Sequence, residues 1–176
     1  MQSVELLLDP ATDAAVRAEW AALSAAGLPS QADHRGESNA PHVSVAVADG
    51  FPATAEESLV TAVRALPFDV RLGPPVMLGG RRLVLARLVV PDPSLLALHA
   101  EVATALTGAA GPSPHTARGR WVPHVTLARG IPVDGLAAAL GVLRGADGTV
   151  PEIAGRAVEL RRWDSEARRT WAVGAA

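Results

Sequence analysis

Two histidines stand out because of the company they keep. Pro41-His42-Val43-Ser44-Val45-Ala46 recurs as Pro123-His124-Val125-Thr126-Leu127-Ala128, so the two motif histidines carry numbers 42 and 124. Each copy has the alternating pattern of a half-buried strand, in which every second side chain shares a face. Val43, Val45 and Val47 are predicted to face a core, and His42, Ser44 and Ala46 the other side. The second copy sets Val125 and Leu127 against His124, Thr126 and Ala128 in the same way. Each copy therefore offers an imidazole beside a hydroxyl, next to a small alanine that leaves room. Imidazole titrates near pH 6.5, so one histidine can accept a proton while a second donates one at neutral pH. That pairing suits in-line substitution at phosphorus: a neutral histidine deprotonates the attacking oxygen and a protonated one serves the leaving oxygen. Ser44 and Thr126 are placed to hydrogen-bond the non-bridging oxygens. A single histidine in a strand is ordinarily a packing residue, and a purely structural repeat has no need of histidine twice.

The elements that must position these residues can be read from the pattern around them. Residues 4–8 read as a short buried strand. Asp9-Pro10 opens a helix running to about residue 26, where Gly27 and Pro29 stop it. Residues 30–40 read as a loop and 43–48 as the first motif strand. A helix is predicted over 54–66, with Thr54 as N-cap and Glu57 at capping-box spacing. Residues 68–72 and 82–90 read as strands joined through the Gly/Pro-rich stretch 73–80, with Gly79-Gly80 as a turn. A helix over 92–106 starts with Pro93 just inside its cap. Residues 108–119 form a loop, 122–128 the second motif strand and 133–143 a helix, and 153–163 with 170–173 an antiparallel pair. Gly50-Phe51-Pro52 after the first motif is echoed by Gly130-Ile131-Pro132 after the second. Two copies are too few for a solenoid. They suit two pseudo-symmetric lobes whose equivalent strands meet at the axis and present both histidines to one cleft. The fold class expected is α+β, as one bilobed domain over residues 1–176.

Composition narrows the chemistry further. With 49% hydrophobic and 19% charged residues the chain is of the globular class. It has no cysteine, which removes thiolate nucleophiles, thiolate metal sites and disulfides. All 16 basic residues are arginine, so Schiff-base and P-loop lysine chemistry are excluded. A net charge of −2 argues against a broad nucleic-acid-binding surface, so any nucleic-acid partner is expected to be met in a pocket. The N-terminal residues carry no signal-peptide pattern and no apolar run is long enough to span a bilayer; the expectation is a cytoplasmic protein without a membrane partner.

The paired His-x-[Ser/Thr]-hydrophobic motifs resemble those of the 2H phosphoesterase superfamily. His124-Val125-Thr126-Leu127-Ala128-Arg129 is similar to the second motif of its 2′-5′ RNA ligase (LigT-like) branch. The resemblance covers nearly the whole chain. It implies two pseudo-symmetric α+β lobes, each an antiparallel-rich sheet with helices on its outer face, around a central cleft. It implies catalysis by His42 and His124 without a metal or other cofactor, and phosphate binding by Ser44, Thr126 and Arg129. Ser44 stands where threonine is commoner, a change that keeps the hydroxyl. The substrate implied is a nucleotide or RNA end carrying a phosphodiester, such as a 2′,3′-cyclic phosphate opened to a 2′-phosphomonoester. RNA 2′-5′ ligation or hydrolysis of another small cyclic phosphodiester are alternatives on the same fold, and a non-catalytic nucleotide- or RNA-binding module is an alternative of another class. No obligate protein partner is implied. Strict alternation points Arg129 away from the histidines, so its phosphate role requires a strand end or a bulge there.

Other residues carry weaker signals. Arg118 and Arg120 precede the second motif and could clamp a second phosphate at the cleft rim. Phe51 and Trp121 are the aromatics nearest the motifs, although Trp121, Trp163 and Trp171 read more naturally as core or lobe interface. His34 and His115 read as solvated loop residues, and His99 as structural within its helix. A zinc site from His34, His42, His115 and His124 lacks the tight spacing of helical ligands, so no metal is expected. Arg81-Arg82 and Arg161-Arg162 read as strand charges alternating with core residues.

Overall fold

A computed structural model describes residues 1–36, 38–79 and 83–174. Two β-α-β-α-β units follow one another along the chain. The first is β1 (Gln2–Leu8), α1 (Pro10–Ala25), β2 (His42–Ala48), α2 (Ala55–Val63) and β3 (Phe68–Leu78). The second is β4 (Leu83–Val89), α3 (Pro93–Ala105), β5 (His124–Ile131), α4 (Leu136–Leu143) and β6 (Ile153–Asp164), with β7 (Arg169–Ala172) added at the end. Among the described residues, seven strands form one sheet, in the order β1-β2-β5-β4-β3-β6-β7, and β1 also pairs with β6. Every pairing is antiparallel.

The units exchange their third strands. β3 of the first unit pairs with β4 of the second, and β6 of the second pairs with β1 of the first. The result is two related halves, β2-β1-β6 and β5-β4-β3. The first five residues of β6 pair with β3, from Phe68↔Ala157 to Leu72↔Ile153, and so link the halves on one side. On the other side they meet only where β2 touches β5, at Val43↔Val125. The two motif strands thus meet at the pseudo-symmetry axis, as the repeat requires.

The helices cross between the halves. α1 follows β1 and, besides β6 of the same half, packs on β5 and α4; α3 follows β4 yet packs on β2 and α2. Their buried faces explain this. α1 buries Thr12, Val16, Trp20 and Leu23, and α3 buries Leu95, Leu98, His99 and Val102, each a one-sided stripe of helical spacing. Asp9 caps α1 by accepting from the backbone N–H of Ala11 and Thr12, and Asp92 caps α3 through the N–H of Leu95. Val43, Val45, Val125 and Leu127 are at most 1% exposed and join one core with both helices. Burial of each such side chain contributes about 1.5–3 kcal/mol, which anchors the motif strands from behind.

Three sequence expectations change. Thr54 precedes α2, but its side chain makes no capping bond and the capping box does not form. The stretch 73–78 is not a loop: β3 runs on through Pro74 and Pro75 to Leu78. Its ladder shifts register between Leu72 and Pro75, and such a bulge accommodates residues that lack an N–H. The helix expected over 133–143 begins as a 3-10 turn at Val133–Gly135. The readings made for Gly80, Arg81 and Arg82 lie outside the described residues. Among those described, no helix is long and apolar enough to cross a membrane.

Candidate active site

His42 and His124 each open their strand and follow a proline. In both, ring Nδ1 lies 2.7 Å from the backbone carbonyl two residues earlier, Ala40 for His42 and Val122 for His124. A carbonyl can only accept, so Nδ1 carries the hydrogen in each ring. The neutral tautomer then leaves Nε2 with its lone pair free, and the protonated ring presents an Nε2–H donor. The same local geometry thus leaves Nε2 free in both rings.

Val43 and Val125 oppose each other in an antiparallel pair. Their neighbours His42, Ser44, His124 and Thr126 come off the opposite face, and all four are half-buried. Two imidazoles and two hydroxyls are gathered at one junction by a single register pair.

Beyond the hydroxyls both strands bulge at equivalent positions. Along β5 the partners change from Ala86↔Thr126 to Leu85↔Ala128, leaving Leu127 extra. Along β2 they change from Glu5↔Ser44 to Val4↔Ala46, leaving Val45 extra. A bulge reverses alternation for everything after it. Ala128 is fully buried, and Arg129 turns into the cleft beside His42 and Ser44. Val47, at the equivalent place on β2, lines the same cleft. The expectation that Val47 faces the core, and that Ala46 and Ala128 stand beside the imidazoles, is therefore corrected.

The cleft has a volume of about 450 Å³ and is lined by His42, Ser44 and Val47 of β2, Glu5 of β1 and Arg161 of β6, with Arg129 reaching in from β5; His124 and Thr126 stand beside it at the strand junction and do not line it. Its floor holds a buried ion pair. Glu5 is 5% and Arg161 8% exposed, and Arg161 Nε donates to Glu5 Oε2 at 2.7 Å. Ser3 Oγ donates to Glu5 Oε1 at 2.8 Å, and Arg161 also donates to the carbonyl of Ser38. Glu5 Oε1 stands 3.7 Å from His42 Nε2. The reading of Arg161-Arg162 as alternating strand charges does not hold, for both are buried. Arg162 lies over the rings of Phe51 and Trp171, with its guanidinium carbon 4.7 and 5.0 Å from the ring centres, and it bonds Glu56 and Gln2.

His124 has a different setting. Burial pushes its pKa below the ordinary 6.5; the hydrogen bond to Val122 acts against this, and the positive charges of Arg129 and His42 add to it. The position on β4 that corresponds to Glu5 is Ala86, opposite Thr126. The scaffold repeats, but the charges do not.

The rim candidates divide. Trp121 sits at the junction: its ring stacks on His99 at 4.1 Å and 6°, and its Nε1 donates to the carbonyl of Ser44. One ring face is thereby taken, and His99 is structural as expected, held by a 2.9 Å contact from Nε2 to the Thr116 carbonyl. Arg118 does not reach the cleft; its guanidinium is tied to Thr104 and the carbonyl of Ala100 on α3. Arg120 is exposed and Phe51 packs under Arg162, and neither lines the cleft. His34 and Trp163 do line it, while His115 is exposed elsewhere. Among the described residues, no three of His, Asp and Glu come together to hold a metal ion.

Trp20 was invisible as a site residue in the sequence. It is 3% exposed on α1, and its Nε1 donates to the carbonyl of Thr126 at 3.0 Å. Glu5 shows in the sequence only as a charge set between the apolar Val4 and Leu6 of β1.

Comparison with known proteins agrees with this architecture. Residues 8–167 match the family described as the 2′-5′ RNA ligase superfamily. No curated protein sequence matches the chain. Usb1 from Kluyveromyces marxianus is similar in fold at 14% identity, with a TM-score of 0.51 over 98% of this chain and 96% of that one. The same protein with uridine monophosphate gives a TM-score of 0.55 at 14% identity, covering 98% and 97%. A crystal structure described as a phosphoesterase gives 0.53 at 16% identity, covering 99% and 94%. With its family match spanning both motifs and its fold shared end to end, the chain belongs to the 2′-5′ RNA ligase superfamily, within the 2H phosphoesterases.

Proposed function

We propose that the protein is a metal-independent phosphodiesterase acting on a 2′,3′-cyclic phosphate or a similar nucleotide phosphodiester. The observation that supports this most is the matched pair of imidazoles. Both Nε2 atoms are freed by the same Nδ1-to-carbonyl bond, on strands that also present two hydroxyls. Binding alone has no need of two such proton-transfer groups.

The surroundings favour a division of roles. His124, held neutral by burial and by Arg129, takes the proton from water at Nε2. His42, whose Nε2 lies 3.7 Å from Glu5 Oε1, takes the complementary role and delivers a proton from Nε2 to the leaving ribose oxygen. Water oxygen bonds to phosphorus, the P–O3′ bond breaks, and the product is a 2′-phosphomonoester. Ser44, Thr126 and the Arg129 guanidinium hold the non-bridging oxygens, where charge grows in the transition state. The Usb1 structure with uridine monophosphate fits a mononucleotide-sized ligand in this fold. The domain works as one bilobed unit, since both halves contribute to the site.

The test is turnover of nucleoside 2′,3′-cyclic phosphates by the purified protein in EDTA. Activity is expected to survive the chelator and to yield the 2′-phosphate. Loss of activity in EDTA, restored by a divalent metal, would overturn the mechanism.

A further inference from the structure

The junction of the two motif strands carries a second matched pair. β2 and β5 share one register pair, Val43↔Val125. The carbonyl of the residue after each valine accepts an indole N–H: Ser44 from Trp121 at 2.9 Å, and Thr126 from Trp20 at 3.0 Å. These two residues carry the hydroxyls assigned to phosphate. The tryptophans come from different elements, one from α1 and one from the loop before β5, yet they make equivalent contacts across the axis.

Each indole is itself fixed. Trp121 lies flat on His99 of α3. Trp20 carries the Arg17 guanidinium carbon 5.5 Å from its ring centre, and its own carbonyl accepts Ser30 Oγ at 2.6 Å. The neighbouring Glu19 pairs with fully buried Arg87 on β4, which pins α1 to the half that holds Thr126. A carbonyl offers two lone pairs, so an indole can bond it without competing with a strand.

We infer that Trp20 and Trp121 are positioning residues, which set the backbone of Thr126 and Ser44 and so aim their hydroxyls at the phosphate. The inference rests on the phosphate role of those hydroxyls. Neither tryptophan lines the cleft. Rigid support of this kind matters because a small misplacement of a positioned group lowers the rate steeply.

A set of double-mutant cycles in kcat tests it, with a nucleoside 2′,3′-cyclic phosphate as substrate. Thr126→Ala and Ser44→Ala alone decide the phosphate role; unchanged kcat in both would remove that reading and the inference with it. Given loss there, Trp20→Phe and Trp121→Phe keep an aromatic ring and delete the N–H. Each is expected to lower kcat roughly five- to tenfold, the size of one lost hydrogen bond. Trp20→Phe should add nothing further in a Thr126→Ala background but should multiply with Ser44→Ala, and Trp121→Phe should show the reverse. A merely structural effect would multiply equally in all backgrounds, and that result, or wild-type kcat in both tryptophan variants, overturns the inference while leaving the phosphate role standing. If a variant fails to fold, the indole N–H resonances of the wild type decide. Those of Trp20 and Trp121 should shift when a nucleoside 2′-monophosphate is added, with Trp171 as the unmoved reference, since its Nε1 donates to Glu56 instead. Unmoved Trp20 and Trp121 signals at saturation would overturn the inference.

Discussion

Glu5→Ala separates what holds the cleft together from what the cleft does. Glu5 and Arg161 are 5% and 8% exposed, and their contact is 2.7 Å. Without the carboxylate, Arg161 keeps its bond to the Ser38 carbonyl and loses its counter-charge. Breaking one side of a buried pair costs about 3–5 kcal/mol. For a chain of this length, each kcal/mol moves Tm by about 2–4 °C, so a fall of roughly 6–20 °C is expected. Chemical denaturation at neutral pH measures the same quantity independently. The double variant E5L/R161M replaces the pair with apolar side chains of similar size, which is near neutral or stabilising in comparable sites. It should recover most of the lost stability. It should not recover activity, because no carboxylate then stands 3.7 Å from His42 Nε2. A fall in kcat of at least about tenfold is expected, from the lower end of general acid/base contributions. Wild-type kcat in the folded double variant would show that Glu5 serves the fold alone. A loss below about 1 kcal/mol in Glu5→Ala would show that water reaches Arg161 and that the pair is not desolvated.

Three further outcomes follow from the same geometry. His42→Ala and His124→Ala should each lower kcat by about 10² or more, and the double variant should be little slower than the slower single one, because the pair acts as a unit; near-wild-type turnover by either folded variant removes the paired mechanism. A depressed His124 pKa places the acid limb of the pH–rate profile below 6.5, with activity lost as pH falls through it; Arg129→Gln removes a positive charge beside His124 and should move that limb upward, and an unmoved limb would mean that another group titrates there. Asp9 caps α1 and also accepts the Thr12 hydroxyl at 2.6 Å and the Arg156 N–H at 2.6 Å; burial opposes its ionisation, but these bonds prevail and hold its pKa at about 2. Asp9→Ala should therefore cost about 1–2 kcal/mol at neutral pH, and the difference from wild type should be full above about pH 4 and shrink as pH falls toward 2; a difference that persists at pH 2 would refute the carboxylate's role.

What the sequence disclosed was what short-range rules govern. Period-two alternation set the faces of residues 42–45 and 124–127, and repetition of an imidazole and a hydroxyl pointed to the candidate site. Asp9 and Asp92 announced their helices because a cap is a contact over three residues. What stayed hidden depends on partners far along the chain. The bulges at Val45 and Leu127 exist only relative to β1 and β4, so the reversal that brings in Arg129 and Val47 leaves no trace in the motif itself. Trp20 meets Thr126 across 106 positions, and Glu5 meets Arg161 across 156. The exchange of third strands is hidden for the same reason, since β3 pairs with β4 and β6 of the other unit and not with a strand of its own.

Symmetry and its breaking do separate work in this site. The repeat accounts for features that must match: two Nδ1-to-carbonyl bonds, two hydroxyls, two bulges and two indoles, all disposed about Val43 and Val125. A symmetric pair of imidazoles would compete for one proton without direction. Direction comes from the positions where the halves differ. On the cleft face of β1 stands Glu5, and its equivalent on β4 is Ala86; on β5 stands Arg129, and its equivalent on β2 is Val47. Burial and the positive charge of Arg129 hold His124 below its ordinary pKa, while His42 has a carboxylate 3.7 Å from its Nε2. In the proposed mechanism, the four positions outside the repeated motif at which the halves differ are what distinguish the acid from the base.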